Sequence, residues 1–539
     1  MSRRRWGKTV LCLLFVTAIS GFFSSKAVAE MTSSFHGTFE SNIVVRDTNG
    51  MQYGFFDEAY GIQQRNTLKF DIDVYPDVKL GAFRVEKVHL TFRGAYDSIF
   101  DLAAHRYDIA DDIGGSRFDY DLDDIRFEQD LREAFIDFVY TGQFGDGFFR
   151  PGRQIVSWGE GLLETLNDVI NPPDSSFNLF FQNPDDVKIP LWMGRINYSM
   201  PRIQNFGLNF DLLWIPDIRP SQWGPRDGDP NDPSAGFQSP YVYITNFGDL
   251  YGFEVREKVP TNNNEYGGKI TAEIGQRLNL SVLYFRDVVS DPNGMVMYPS
   301  PPTFRTGTVE VTHNKQHVYG GFFSYQLLVG HFEAIIRGEV SHHTAEPISL
   351  AEPMFSATYS VGNTFVLKPV TKTMLAVDKD FRWRWLSKDV TKVSFEWLHK
   401  TINEWNGGDV TNPFTGAIVK NNLDNPHIDK TGRVTGDMSG TSEKKDRRNV
   451  RESDVFMVNT STALMGAKLT PSILLAVCPG KHGDGTTWMV KPAVKYLITS
   501  DIYADLRLQA FLGDAKASYG FADGVKVASE VTFKIGYQW

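Results

Sequence analysis

Apolar and polar residues alternate with a period of two along most of this chain, most plainly in its final stretch, Val525 to Trp539. Counting back from Trp539, Tyr537, Ile535, Phe533, Val531 and Val527 share one face, while Gln538, Gly536, Lys534, Thr532, Glu530 and Lys526 share the other. Successive side chains of a strand point to opposite faces, so this pattern predicts a β-strand. Such a strand can end a soluble sandwich. It can also end a membrane barrel, with its apolar face to lipid and its polar face to a wet lumen.

The same period predicts strands near 34–46, 62–75, 84–95, 131–141, 147–157, 188–200, 205–217, 265–276 and 278–289, then near 316–328, 331–343, 363–378, 390–402, 454–469, 471–480, 487–499, 502–514 and 525–539. The faces are cleanest where Leu68, Phe70, Ile72 and Val74 alternate with Lys69, Asp71 and Asp73, and where Val88, Leu90 and Phe92 alternate with Lys87, His89, Thr91 and Arg93. Ile502, Ala504, Leu506 and Leu508 likewise oppose Asp505, Arg507 and Gln509. Connections alternate in length, short at 76–83, 142–146, 201–204 and 329–330, long at 96–130, 158–187, 218–264 and 403–453. Short turns on one side and long loops on the other characterise outer-membrane barrels, whose even strand number puts both termini on the short-turn side. The expected fold is therefore all-β: a transmembrane antiparallel barrel of about 18 strands, 16 being the alternative count, with short periplasmic turns and long extracellular loops.

The chain's start bears on the choice between sandwich and barrel. Met1 to Ala29 carries Arg3, Arg4, Arg5 and Lys8, then the apolar run Val10 to Phe23, then Ala27-Val28-Ala29, which is the pattern of a secretory signal peptide. Residues 1–29 are thus expected to be removed and 30–539 to form a single barrel domain. Removal takes away five basic residues and no acidic ones, moving the net charge from −10 to −15 and giving no reason to expect a nucleic-acid partner. Only Cys478 remains, so no intramolecular disulfide can form, and no C-x-x-C-H occurs for covalent haem. No later stretch offers the roughly 18 apolar residues of a membrane helix. Aromatic residues at 13% suit the interfacial girdles of a barrel.

Two sets of residues carry a resemblance. The terminal Phe533, Tyr537 and Trp539 resemble the C-terminal signal of bacterial outer-membrane barrels, which implies recognition by the barrel-assembly machinery and a place in the outer membrane beside lipid and lipopolysaccharide. Gly152 to Gly161 reads G-R-Q-I-V-S-W-G-E-G and is followed by Asn171-Pro172-Pro173-Asp174. These elements resemble an uncharacterised family of large Gram-negative outer-membrane barrels, a domain of unknown function, and the G-R-Q element is similar to that of alginate-export-type barrels and porins. The resemblance implies transport.

Within this stretch Gly152 permits a bend or close approach of strands. Arg153 offers a fork of donors, with Glu160 and Asp174 as available acceptors. Leu162 to Ile170 is expected to form a short helix near 161–171, ended by the prolines, and to fold inward as a constriction. The alternative is an extracellular loop with a capped turn. Pore-lining candidates are accordingly Arg153, Gln154, Glu160 and Asp174, with Lys69, Asp71, His89, Arg93 and Arg507 on the polar faces.

Other constellations are weaker. Asp119, Asp121 and Asp123 begin like a calcium loop, yet Asp124 stands where that loop needs Gly, so a solvated acidic loop is the better reading. His313 and His317 precede a strand rather than lie on a helix, and neither they nor His342-His343 have a third ligand in sequence. No metal or other cofactor is expected. The basic run Lys444, Lys445, Arg447, Arg448 and Arg451 could touch lipopolysaccharide phosphates or simply be solvated. No G-x-S-x-G nucleophile occurs, so an outer-membrane enzyme has no motif behind it. The expected function is a porin-like channel for a small solute of unnamed substrate class, lined by both charge signs. The alternative is a structural barrel that partners periplasmic components or an efflux or electron-transfer system.

Overall fold

The computed structural model describes residues 32–47, 59–102, 126–162, 165–174, 184–221, 253–258, 264–290, 294–299, 307–330, 332–349, 365–383, 389–405, 410–411, 418–419, 451–480, 486–513 and 529–539. The signal segment, the acidic loop with Asp119, Asp121 and Asp123, and most of the basic run lie outside the described residues.

Eighteen strands form one ring. The first nine are β1 (Thr32–Asp47), β2 (Ala59–Tyr75), β3 (Phe83–Asp97), β4 (Phe127–Gly142), β5 (Gly145–Gln154), β6 (Leu191–Ser199), β7 (Phe206–Ile215), β8 (Glu265–Ile274) and β9 (Leu278–Val288). The second nine are β10 (Lys315–Val329), β11 (Phe332–Ser349), β12 (Phe365–Phe381), β13 (Thr391–Ile402), β14 (Glu452–Thr462), β15 (Leu469–Pro479), β16 (Thr486–Leu497), β17 (Ile502–Gly513) and β18 (Ser529–Gln538). Each pairs antiparallel with the next, and β18 pairs antiparallel with β1 from Thr38↔Gln538 to Asp47↔Ser529. The sheet therefore has no open edge, which lets every ladder hydrogen bond be made without solvent.

Period two decides which way each face looks. Phe35, Phe39 and Ile43 on β1, Leu212 and Trp214 on β7, Leu280 and Val282 on β9 and Phe533, Ile535 and Tyr537 on β18 are all exposed, forming an apolar exterior. Their neighbours face inward, among them Glu40, Asp211, Ser281 and Lys534. An outer wall of this kind needs lipid around it, because water would leave a large apolar belt unpaid for.

The eight connections at one end are short, among them 143–144, 275–277, 330–331 and 498–501, and Thr32 and Trp539 lie on that side. Gly275 (φ 65°) and Gly330 (φ 60°) serve these turns in the left-handed region. The opposite end holds the long connections, including 98–126, 155–190, 216–264 and 403–451. Three short strands from them, Phe253–Lys258, Gly294–Pro299 and Gly307–Thr312, make a small separate sheet.

All 18 expected strands are present, and the alternative count of 16 falls. Several boundaries differ by a few residues, the start of β4 (127 for 131) and the end of β11 (349 for 343) among them, and two of the differences have a visible cause. The turn expected at 470 occupies 463–468, because Met465, Gly466 and Ala467 all take positive φ there. Strand β5 stops at Gln154 rather than 157, because the chain then leaves the wall for the interior.

Candidate functional site

The G-R-Q element closes strand β5, the connection from β5 to β6 that follows carries the N-P-x-D element, and the described part of that connection crosses the barrel. Trp158 is 1% exposed, lies edge-on to Phe285 of β9 at 6.2 Å and donates its Nε1–H to Asp211 of β7 at 3.2 Å. Beyond it, the backbone N–H groups of Glu160, Gly161 (3.2 Å) and Leu166 (2.8 Å) all donate to the carboxylate of Glu339 on β11. Leu162 N–H donates to Glu396 of β13 at 2.9 Å. Arg337 of β11 reaches Glu160's carbonyl from below while pairing with Asp378 of β12 at 2.6 Å. Since β13 is eight strands from β5 in a ring of 18, the segment spans the lumen nearly to the far wall.

Glu339 and Glu396 alternate with the exposed Val340 and Phe395, so both carboxylates point inward. They do for this segment what a helix would do for itself, taking up backbone donors that otherwise have no partner. That is why the helix expected near 161–171 does not form among the described residues there. Instead Asp168 N–H donates to Thr165's carbonyl at 3.2 Å in a single turn. Gly159 enters this turn at φ 123°, where a Cβ would collide with Thr165 and with Glu339.

Asn171 buckles the outgoing and returning arms together. Its Oδ1 accepts Val156 N–H at 2.8 Å, and its Nδ2 donates to the carbonyls of Gln154 (3.3 Å) and Ile189 (2.9 Å). Ile189 N–H donates to Pro172's carbonyl at 2.8 Å and Asp174 N–H to Val187's at 2.5 Å, so the return arm is a short ladder. Lys188 pairs with Asp168 inside it. Burial raises Asp168's carboxyl above its ordinary range, against the pull of Lys188. Burial likewise raises that of Glu160, with Arg337 opposing.

Apolar packing fixes the segment on two sides. Val156, Trp158 and Ile170 join Leu191, Met193, Leu213, Ile215, Leu283, Phe285 and Val318 in one buried cluster. Leu166 joins Met374, Ala376, Leu398, Val455, Met457, Ala476, Cys478, Met489 and Phe511, drawn from the inner faces of β12 to β17. At the height of the segment the interior is thus apolar over much of its circumference. Toward the short turns it is charged, with Arg150–Asp137 (2.5 Å), Arg195–Asp211 (2.8 Å), Lys87–Asp73 (2.8 Å) and Lys534–Glu40 (2.8 Å) on the wall.

The candidates read from sequence fall into three places. Gln154 (0% exposed) lies at the root of the crossing segment and Glu160 in it, while Asp174 sits on the return ladder. Arg153 is held elsewhere than at Glu160 or Asp174: its guanidinium meets Asp130 at 2.9 Å and the carbonyls of Leu131 (2.5 Å) and Pro190 (3.2 Å), tying β4 and β5 to the start of β6. Gly152 beside it has φ 144°, with a Cβ position 2.5 Å from Phe135's Cα, so strands β4 and β5 approach closely there. The remaining group lies on β2, β3 and β17. Asp71 accepts from Thr91 at 2.6 Å, and His89 meets Asp73 at 2.6 Å while stacking on Phe135. Arg93 grips Glu128 (Nε, 2.9 Å) and Arg507 pairs with Asp505. Lys69 stands opposite Arg93 in the register.

Sequence reading missed Glu339, Arg337, Asp211 and Asn171 as holders of the segment. Glu396 alternates with Phe395 and Trp397 in the sequence and so falls on a polar face, but nothing in the alternation distinguishes a carboxylate that binds water from one that binds backbone. No group of three or more metal-ligating side chains occurs among the described residues.

No curated relative matches the chain in sequence. Among solved structures, it is similar to Acinetobacter baumannii OccAB3 (TM-score 0.43, 10% identity, 94% of this chain and 99% of that one). It is also similar to Pseudomonas aeruginosa OpdK with vanillate (0.44, 6%, 94% and 98%) and to Pseudomonas aeruginosa OccK8 (OprE) (0.41, 8%, 94% and 98%). Likenesses at these TM-scores carry no argument about what this chain passes or binds. A family model described as a protein of unknown function (DUF1302) matches residues 71–538, a span that includes the whole crossing segment, and the chain belongs to that family.

Proposed function

We propose that this protein is an outer-membrane channel that passes a small solute through the part of the lumen left beside the crossing segment. The observation that carries the reading is the latch: two inward carboxylates, Glu339 and Glu396, hold backbone N–H groups of a segment that enters from the long-loop end and reaches the far wall. A barrel of this strand number is wide enough for water, and a fixed inward segment narrows it. Supporting an outer-membrane site are the closed ring and its apolar exterior. Because the interior is apolar around the segment and charged toward the short turns, the solute we favour has an apolar body and a polar or ionic group. It meets the two surfaces in succession.

The test is single-channel recording of the purified barrel in planar bilayers beside the double variant Glu339→Gln, Glu396→Gln. Amide groups keep the volume but weaken hydrogen bonds to backbone N–H, since charge-assisted bonds are roughly twice as strong as neutral ones. Discrete steps from the parent protein and larger or noisier steps from a normally folded variant are expected. A parent barrel that forms no pores, or a folded variant with identical steps, would overturn the reading.

A further inference from the structure

The cross-strand register arranges the outward face of β8 to β11 in rows. Ile270, Val282, Gly321 and Val340 form an apolar row. One step toward the long loops lie Gly268, Tyr284, Tyr319 and His342, and one step further Tyr266, Arg286 and His317, with Trp214 of β7 beside Tyr266. Apolar residues give way to aromatic ones and then to a cation over two residue pairs, which marks the level where hydrocarbon meets headgroups.

Arg286 is the unusual member. The inward arginines Arg150, Arg195 and Arg337 each have a carboxylate partner. Arg286 has none among the described residues. Its neighbour Asp287 faces the interior and bonds Gln316 at 2.6 Å. The guanidinium lies 5.6 Å from the centre of the Tyr266 ring, and its cross-strand partner His317 is exposed. Tyr284 Oη meets His317 Nδ1 at 2.9 Å, and Tyr284 stacks on that imidazole at 5.9 Å and leans on Tyr319 at 5.4 Å. Rings thus hold a cation and an imidazole side by side at the edge of an apolar wall. A cation there with no carboxylate partner among the described residues is complemented by an anion from outside, and a guanidinium fork matches phosphate.

We propose that the Tyr266–Arg286–Tyr284–His317–Tyr319 face binds the phosphorylated headgroup of an outer-leaflet glycolipid. Its acyl chains would lie on the Ile270–Val282–Val340 row below, continuous with the lipid-facing belt. The proposal rests on the long loops facing outward but not on the barrel conducting.

The experiment uses the full-length barrel, delipidated in detergent and checked for heat-modifiable gel mobility, with bound lipid counted by native mass spectrometry. The probes are bisphosphorylated lipid A and its dephosphorylated form. The parent protein should retain the phosphorylated form, and Arg286→Gln with His317→Gln should lower that retention about tenfold, with Arg286→Lys in between, given the strength of charge-assisted bonds. Arg202→Gln, at the short-turn end, should leave it unchanged. Equal retention of the two lipids by the parent overturns the proposal even if the double variant does not fold. An equal fall in the Arg202 variant, or full displacement by inorganic phosphate alone, also overturns it, the last by assigning a free anion.

Discussion

The last residue of the chain is paired to the first strand: Gly37 N–H donates to Trp539's carbonyl at 3.2 Å, and Trp539 N–H donates to Gly37's carbonyl at 3.1 Å. The indole covers Gly37 so closely that a Cβ there would fall within the ring, and it is edge-on to Phe70 at 5.9 Å. Gly37→Leu should therefore force the indole off the seam, at about 1–3 kcal/mol for overpacking, and lower the assembled fraction. Adding Trp539→Ala should recover part of that loss if the clash is the cause, whereas Trp539→Asp alone should leave the chain unassembled. Heat-modifiable mobility of outer-membrane fractions measures all three.

Topology gives a labelling experiment. Ser500 lies in the 498–501 turn, on the side of Thr32 and Trp539, while Pro230 and Thr435 belong to connections that leave from the other end. Cysteines or tags at Pro230 and Thr435 should react with an impermeant reagent on intact cells, and one at Ser500 only after the outer membrane is opened.

Gly159 lies within the crossing segment, outside the strands of the wall. At φ 123° with Thr165 and Glu339 against it, Gly159→Ala should cost about 1–3 kcal/mol, the usual range for a strained position. That strain acts on the turn and not on any ladder. Assembly and melting of the barrel should stay near those of the parent while current noise rises.

For Arg153 the partners predict stability rather than current. Arg153→Ala removes a fork that meets Asp130 and two carbonyls, which should destabilise by about 1–3 kcal/mol, with Arg153→Lys losing less. Lower heat-modification temperature and faster proteolysis near 184–190, with unchanged conductance in the folded fraction, are expected. A selectivity shift in a stable Arg153→Ala barrel would restore the pore-lining role that its motif suggests.

The wall was legible in sequence because a strand records its own facing: Leu68 and Lys69, or Phe533 and Lys534, differ by one residue and so by side of the sheet. The loop-length alternation carried the topology for the same local reason. What alternation does not record is which inward group meets which inward segment. Glu160 and Glu339 are 179 residues apart, Leu162 and Glu396 are 234 apart, and the donors are backbone groups common to all residues. Helix propensity at Leu162 to Ile170 was outweighed by those distant carboxylates. Asn171 was visible in the N-P-x-D element, but its use as a buckle depends on Gln154 and Ile189 standing within reach on both sides.

The crossing segment leaves from β5 and returns to β6, which are neighbours in the ring. No wall strand must be broken or re-registered to lengthen, shorten or redirect it. The wall and the segment across it are therefore separately heritable: a lineage can reshape the interior by changing one connection and the few inward carboxylates on β11 and β13 that grip it, while the pairing of all eighteen strands is built as before.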